Sequence, residues 1–286
     1  MAVSLDNVLD AHCHLWELGR FKYPWPTPDM TIHQDHLPQD LQQAMKDTPV
    51  TDVIFVQCLN DSPEEAEWVM SLARQFPFIR GIVAGLDPSH PQFESRLVLL
   101  KEAVPLLVGL RHIPNFQDHP DYLLREDLAA GIIALQKHNL TFDLLLRPQQ
   151  LEAAGVLAGR VSQVGAKLVV DHLAKPDIAA SKMDPWRQHM SSLARHPNVF
   201  CKLSGLVTEA HLEKWQVDDF RPYVEHVLSV FGAERVMFGS DWPVCRLAAN
   251  TDYDRVFSTF RQLLHHLPHH QQEMIFSTNA RTFYNI

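Results

Sequence analysis

Val8-Leu9-Asp10-Ala11-His12-Cys13-His14 is a short apolar run that ends in two histidines one residue apart. In an extended strand alternate side chains share a face, so His12 and His14 point the same way. At about 3.3 Å rise per residue their Cα atoms lie roughly 6.6 Å apart, and both rings can converge on one ion or one substrate atom. Two hydrogen-bonded histidines beside a core strand explain the pattern equally well, since 17 histidines leave room for chance pairs. The surroundings decide. Seven more runs of the same kind follow, at 52–57, 79–85, 107–111, 141–146, 167–172, 199–203 and 235–239. Their length and continuous apolarity suit strands buried on both faces, as in a parallel sheet.

Segments of helical period lie between them. Ser62-Pro63-Glu64-Glu65 reads as a capping box with proline at the first helical position, opening a helix to about Phe76. Leu124, Leu128, Ile132 and Leu135 form an apolar stripe, and Val224, Val227, Leu228 and Phe231 form another, with Gly232 where a helix stop belongs. A further amphipathic pattern runs from Val256 to Leu264 after the eighth strand. Eight strand-then-helix units in about 250 residues predict an α/β fold, a TIM-type (β/α)8 barrel, as one domain over residues 1–286. An open doubly wound sheet is the alternative, but no GxGxxG follows the first strand. The longest insertion, from Trp16 to about His36, directly follows strand one and has the length of a functional lid.

Composition excludes several classes. The formal net charge is −9, so no global basic field holds nucleic acid or an anionic membrane. The four cysteines lack CxxC pairing and speak for a reducing compartment. The amino terminus has no basic region followed by an apolar core, and no apolar run approaches the ~20 residues of a membrane span. A cytoplasmic protein is expected.

In such barrels the chemistry sits at the carboxyl ends of the strands. Those ends read, in order, His12 and His14, Gln57-Cys58, Arg111-His112, Arg147, Asp171-His172-Leu173-Ala174-Lys175, Lys202, and Gly239-Ser240-Asp241-Trp242-Pro243. Each has an ordinary structural explanation by itself: Asp241 as a helix cap, His172 as a bonded core histidine, Arg111 and Lys202 as salt bridges. Ringed round one mouth, they predict a site. His265-His266-Leu267-Pro268-His269-His270 straddles a helix break and reads as a solvated turn. Glu64, Glu65 and Glu67 read as acids complementing a helix dipole, and nothing in the spacing of His33 and His36 places them in the site.

The HxH of strand one, a histidine on a middle strand and an aspartate ending strand eight resemble the amidohydrolase superfamily of distorted (β/α)8 barrels. Asp10 to Trp16, Val170-Asp171-His172 and Phe238 to Pro243 resemble its sugar- and pyrone-lactonase branch. The run Cys201-Lys202-Leu203-Ser204-Gly205-Leu206-Val207-Thr208-Glu209, together with Tyr23-Pro24-Trp25 and Arg111-His112, is most similar to the L-fuconolactone hydrolases. The resemblance covers essentially the whole chain and implies hydrolysis of a small sugar lactone, L-fuconolactone to L-fuconate. It leaves open L-rhamnonolactone, L-galactonolactone or a pyrone dicarboxylate, a zinc-dependent decarboxylase on the same scaffold, and a non-catalytic binding barrel.

Within that reading Asp241 is expected as general base to water, with His12, His14 and His172 polarising the carbonyl. Trp25, Gln57, Arg111, His112, Lys202 and Trp242 are expected to bind the sugar. Two departures from the superfamily bear on metal. Strand four ends in Leu110-Arg111-His112 where many members carry a carboxylated lysine, which speaks against a binuclear centre. Lys202 stands on the strand where mononuclear relatives carry a second histidine. No required cofactor is therefore expected; if one divalent cation such as zinc binds, its ligands would be His12, His14, His172 and Asp241. A dicarboxylate calls for two clamping arginines, and Arg111 and Arg147 are the only obvious ones at the mouth.

Overall fold

The computed structural model describes residues 5–113 and 120–286; of the amino-terminal stretch read above as carrying no leader, residues 1–4 lie outside the described part. The strands are β1 (Val8–Cys13), β2 (Val50–Val56), β3 (Ile79–Gly85), β4 (Leu107–Arg111), β5 (Thr141–Leu145), β6 (Leu168–Asp171), β7 (Val199–Leu203) and β8 (Val236–Phe238). They alternate with α1 (Pro38–Met45), α2 (Pro63–Ala73), α3 (Phe93–Ala103), α4 (Glu126–Gln136), α5 (Leu151–Ser162), α6 (Trp186–Leu193), α7 (Val217–Phe231) and α8 (Tyr253–Leu264). Two short helices, α9 (His269–Glu273) and α10 (Asn279–Tyr284), end the chain. The strands pair in sequence order, all parallel. At the carboxyl mouth the chain after β8 returns to β1: His14 N–H donates to the Trp242 carbonyl at 2.7 Å and Asp241 N–H to the His12 carbonyl at 2.8 Å. The result is the expected (β/α)8 barrel, nearly closed, with each strand within two residues of its predicted ends.

Strand side chains alternate between the barrel interior and the layer under the helices. Leu9, Ala11, Ile54, Val56, Val83, Val108, Val169 and Met237 pack together inside, joined by Phe283 and Tyr284 of α10. Lys167 Nζ, just before β6, holds the carbonyls of Thr282 and Phe283 at 3.1 Å, so α10 plugs the amino end of the barrel. Phe142, Leu144, Leu168, Val170, Cys201 and Leu203 belong to the larger outer core. The intervening positions therefore turn Asp143, Asp171 and Lys202 inward, into a layer that aliphatic side chains ordinarily fill.

Several local expectations are corrected. Pro63 begins α2, but the Ser62 hydroxyl makes no cap hydrogen bond, and the helix ends at Ala73 rather than Phe76. Leu124 lies in a turn before α4 and is exposed, while Leu128, Ile132 and Leu135 carry the buried stripe. Gly232 ends α7 at φ +71°, as a helix stop should. His265 to His270 bridge α8 and α9, and none of them joins a metal-competent cluster among the described residues. All four cysteines are buried and unpaired. Among the described residues no helix is long and apolar enough to cross a membrane.

Glu65 departs furthest from its reading. It faces the protein rather than the helix terminus, one carboxyl oxygen accepts Cys58 N–H at 3.3 Å, and the other has no partner among the described residues. Burial pushes its acid from 4.5 to about 8. The folded state thus keeps a proton that the unfolded chain releases, so stability falls as pH rises from about 4.5 to about 8. Glu65→Gln removes that cost: it should melt above the parent protein at pH 8 and with it near pH 4.5. Thermal melts at the two pH values check this, and an unchanged difference between them would contradict it.

Candidate active site

β1 delivers His12 and His14, and its pairing with β2 slips between Asp10 and Cys13, beside His12. The buried Asp10 carboxylate holds this end in place. Its Oδ1 accepts the N–H groups of His12 at 3.0 Å and Ser240 at 2.9 Å, and its Oδ2 accepts the hydroxyls of Ser240 at 2.6 Å and Tyr253 at 2.8 Å. One carboxylate so ties β1, the turn after β8 and α8 together. Asp241 leaves that turn in the left-handed region at φ +57°. After β6 the chain makes four consecutive left-handed residues, His172, Leu173, Ala174 and Lys175, at φ between +51° and +58°. Non-glycine residues adopt this conformation at a cost, and such strain gathers where side chains must be aimed. The run brings His172 onto the floor and Lys175 up the wall of the same cavity.

Four groups meet on that floor. Asp241 Oδ1 lies 3.4 Å from His14 Nε2, 3.8 Å from His172 Nε2 and 3.9 Å from His12 Nε2, and the two β1 histidines approach at 3.2 Å between Nε2 atoms. The far nitrogens are engaged as well. His14 Nδ1–H donates to the Val56 carbonyl at 2.8 Å, His172 Nδ1 meets the Ser204 hydroxyl at 2.8 Å, and His12 Nδ1 faces Lys202 Nζ at 3.1 Å. Burial lowers His12 and His172 well below the ordinary imidazole value, so both are neutral. Burial alone would raise Asp241, but His172, His14 and Lys175 outweigh it and hold the acid below 3.8. An ionised carboxylate beside neutral His12 and His172 is thus the resting state at neutral pH.

Beneath the floor lies a buried ionic layer. Lys202 Nζ sits 2.5 Å from Asp143 Oδ2 and 3.1 Å from Asp171 Oδ1, and Tyr284 Oη donates to Asp143 at 3.0 Å. Arg111 Nη1 donates to Asp171 Oδ2 at 3.0 Å and Nη2 to the Gln57 carbonyl at 2.5 Å. Lys202, His12 and Arg111 overcome burial and hold Asp171 well below the ordinary range. Two cations offset two anions, which is how buried charge is tolerated.

The cavity above has a volume of about 310 Å³. Trp16, Trp25, Leu59, Leu145, Val244 and Leu247 give it apolar walls, and Arg111, Arg147, Thr208 and the Lys175–Glu209 ion pair (2.7 Å) give it polar ones. Of the residues read from sequence, His14, His172, Asp241, Arg111 and Trp25 line it, with His12 directly below. Four expected sugar contacts are corrected. Lys202 lies a layer deeper, between Asp143 and Asp171. Gln57 braces the arginine, its Nε2 donating to the Arg111 carbonyl and to Asp61 Oδ1, both at 3.3 Å. His112 pairs with Asp61 at 2.6 Å and faces Asp87 at 3.6 Å. The Trp242 indole is buried against His36 at 5.3 Å between ring centroids. The expected lid is anchored at both ends, Trp16 and His36 exchanging backbone hydrogen bonds of 3.1 and 2.9 Å.

Three imidazole nitrogens and a carboxylate oxygen are the donor set of a divalent-cation site with an open position; His12, His14 and Asp241 have ligand atoms within 4.8 Å of one another, and His12 and His172 form a second such group with Asp171, a carboxylate outside the four. By ligand type, the residues fit one such ion.

The family profile described as Amidohydrolase matches residues 9–286. An L-fucono-1,5-lactonase of Burkholderia ambifaria is 35% identical over 285 residues, covering 97% of this chain and 95% of that protein. A second L-fucono-1,5-lactonase, of Burkholderia multivorans, is 34% identical over 263 residues, covering 87% of this chain and 86% of its own. An amidohydrolase of Burkholderia multivorans solved with bound zinc superposes with a TM-score of 0.89 at 30% identity, over 98% of this chain and 99% of that one.

Proposed function

The chain belongs to the amidohydrolase family, and from that premise we propose that it is a lactonase that opens L-fuconolactone to L-fuconate with Asp241 as general base to water. One observation carries the reading: an ionised, buried carboxylate ringed by three imidazoles at the floor of a cavity with both apolar and polar walls. The two relatives named as L-fucono-1,5-lactonases support the substrate. A two-arginine clamp for a dicarboxylate has only Arg147 to offer besides Arg111, whose guanidinium is committed to Asp171 and Gln57. The four buried, unpaired thiols suit a reducing cytoplasm.

Asp241 takes one proton from a water as its oxygen bonds to the lactone carbonyl carbon. Imidazole N–H groups face the oxygen that gains charge, in a site where fixed dipoles need no reorganisation. The tetrahedral intermediate then expels the ring oxygen, which recovers the proton from Asp241, and the acid formed releases a proton to solvent. Lys175, Glu209, Thr208 and Arg147 hydrogen-bond the sugar hydroxyls, while Trp25, Leu145 and Val244 meet its apolar face. A divalent cation held by His12, His14, His172 and Asp241 would supply Lewis-acid polarisation of the carbonyl and a more acidic water. A lactone is reactive enough for the protein groups to suffice, so the activity is expected to persist without added metal.

The test is proton release, followed with a pH indicator, across a panel of aldonolactones with and without chelator. Opening of L-fucono-1,5-lactone that survives chelation is expected; silence on every lactone would overturn the reading. Gly205 gives a second check. It sits at φ +62°, and a Cβ there would lie 2.5 Å from His172 Nδ1. Gly205→Ala should displace the ring and lower kcat by about 100-fold with KM little changed, whereas unaltered kcat would remove His172 from the reaction.

A further inference from the structure

We propose that Lys202 is a positioning residue that fixes the tautomer of His12, placing its single proton on Nε2, so that His12 enters the site as a hydrogen-bond donor and not as a metal ligand.

The geometry around the ring allows one arrangement to satisfy its close contacts. Lys202 Nζ meets His12 Nδ1 at 3.1 Å with hydrogen-bond geometry. An ammonium has only donors, so Nδ1 must accept. Across the ring, Nε2 lies 3.2 Å from His14 Nε2. In its singly protonated form the His14 ring carries its proton at Nδ1, toward the Val56 carbonyl at 2.8 Å, and accepts at Nε2. A proton on His12 Nε2 completes both contacts. A proton on Nδ1 sets N–H against ammonium at 3.1 Å and lone pair against lone pair at 3.2 Å. That form keeps two weaker contacts: Arg111 Nη1 donating to Nε2 at 3.5 Å, and Asp171 Oδ1 3.3 Å from Nδ1. Asp171 Oδ1 also lies 3.1 Å from Lys202 Nζ, so the ammonium answers its charge without the imidazole proton. A doubly protonated ring would meet Lys202 on one side and Arg111 on the other, donor against donor.

The consequence concerns zinc. His12 ligates through Nε2 only after losing the proton there, and moving that proton to Nδ1 drives it against Lys202. Lys202 so weakens the metal site while keeping an N–H on the side of the ring that faces His14 and Asp241. The donor role rests on the lactonase reading; the tautomer and the zinc affinity do not, and they are measured without any lactone.

The direct measurement is the imidazole ¹⁵N spectrum of histidine-labelled, metal-stripped protein near neutral pH, with His12 identified by its loss in His12→Gln. A protonated Nε2 and an unprotonated Nδ1 are expected; the reverse pattern overturns the proposal whatever the protein hydrolyses. A second arm uses Lys202→Met with Asp143→Asn, which removes one buried cation and one buried anion and keeps net charge. In the folded double variant the proton should move to Nδ1, facing Asp171, and zinc affinity, read against a chelating indicator, should rise at least tenfold. An unmoved proton or unchanged zinc affinity there counts against the proposal, and the parent spectrum decides the tautomer even if the double variant does not fold.

Discussion

Asp241→Asn should lower kcat for lactone opening by about 10³-fold while the protein still folds. The substitution keeps the shape of the side chain and its contacts with His14 and His172, but an amide accepts no proton from water. The Asp241 acid lies below 3.8 because its partners outweigh its burial, so its folded pKa is depressed. A depressed carboxyl contributes stability above its unfolded pKa and loses it as pH falls through the folded value. Asn should therefore cost some stability at neutral pH, and thermal melts separate that cost from the kinetic effect. The same depression fixes the pH profile. Asp241 stays ionised through the neutral range, so its protonation should cut kcat/KM only below about pH 4. A limb near pH 6 assigned to the base, or an Asn variant with near-normal turnover, would move the role elsewhere.

Lys202→Met should be the most destabilising single change in the barrel, by about 3–5 kcal/mol, because it leaves Asp143 and Asp171 as buried charges with too few cations. Both carboxylates and the lysine have no exposed side-chain surface. Asp143→Asn alone should also destabilise, by leaving the ammonium to share the one remaining carboxylate, Asp171, with Arg111. The pair removed together should cost less than the sum, since each deletion relieves the charge the other strands. Urea unfolding of the four proteins in the cycle measures this, and additive costs would mean that Lys202 and Asp143 do not act as a pair.

Much of this was legible in the chain. The strands announced themselves by length and β-branched content, and the rule that barrel chemistry collects at strand ends singles out His12, His14, His172 and Asp241, which the fold brings together. Depth was harder to read. Lys202 looks like a mouth residue by its place on β7, yet inward parity with Asp143 and Asp171 puts it one layer down. The signal was present: each is a charged residue inside or ending an apolar run, where a charge needs an opposite partner. Gln57 and His112 read as sugar contacts because spacing names a strand end but not the side chain's own partner, Arg111 for one and Asp61 for the other. Asp10 was hidden in plain view inside the HxH stretch, its role fixed by Ser240 and Tyr253 more than 200 positions away. Nothing in His172-Leu173-Ala174-Lys175 signals a left-handed run, since those residues ordinarily avoid that region.

The reaction itself is tested most directly by opening L-fucono-1,5-lactone in ¹⁸O-water, in a single turnover with metal-stripped enzyme in excess. Attack by an Asp241-activated water predicts one ¹⁸O in the carboxylate of the product and none in Asp241. Label in Asp241, as a covalent acyl intermediate would leave, or no turnover at all, would contradict it.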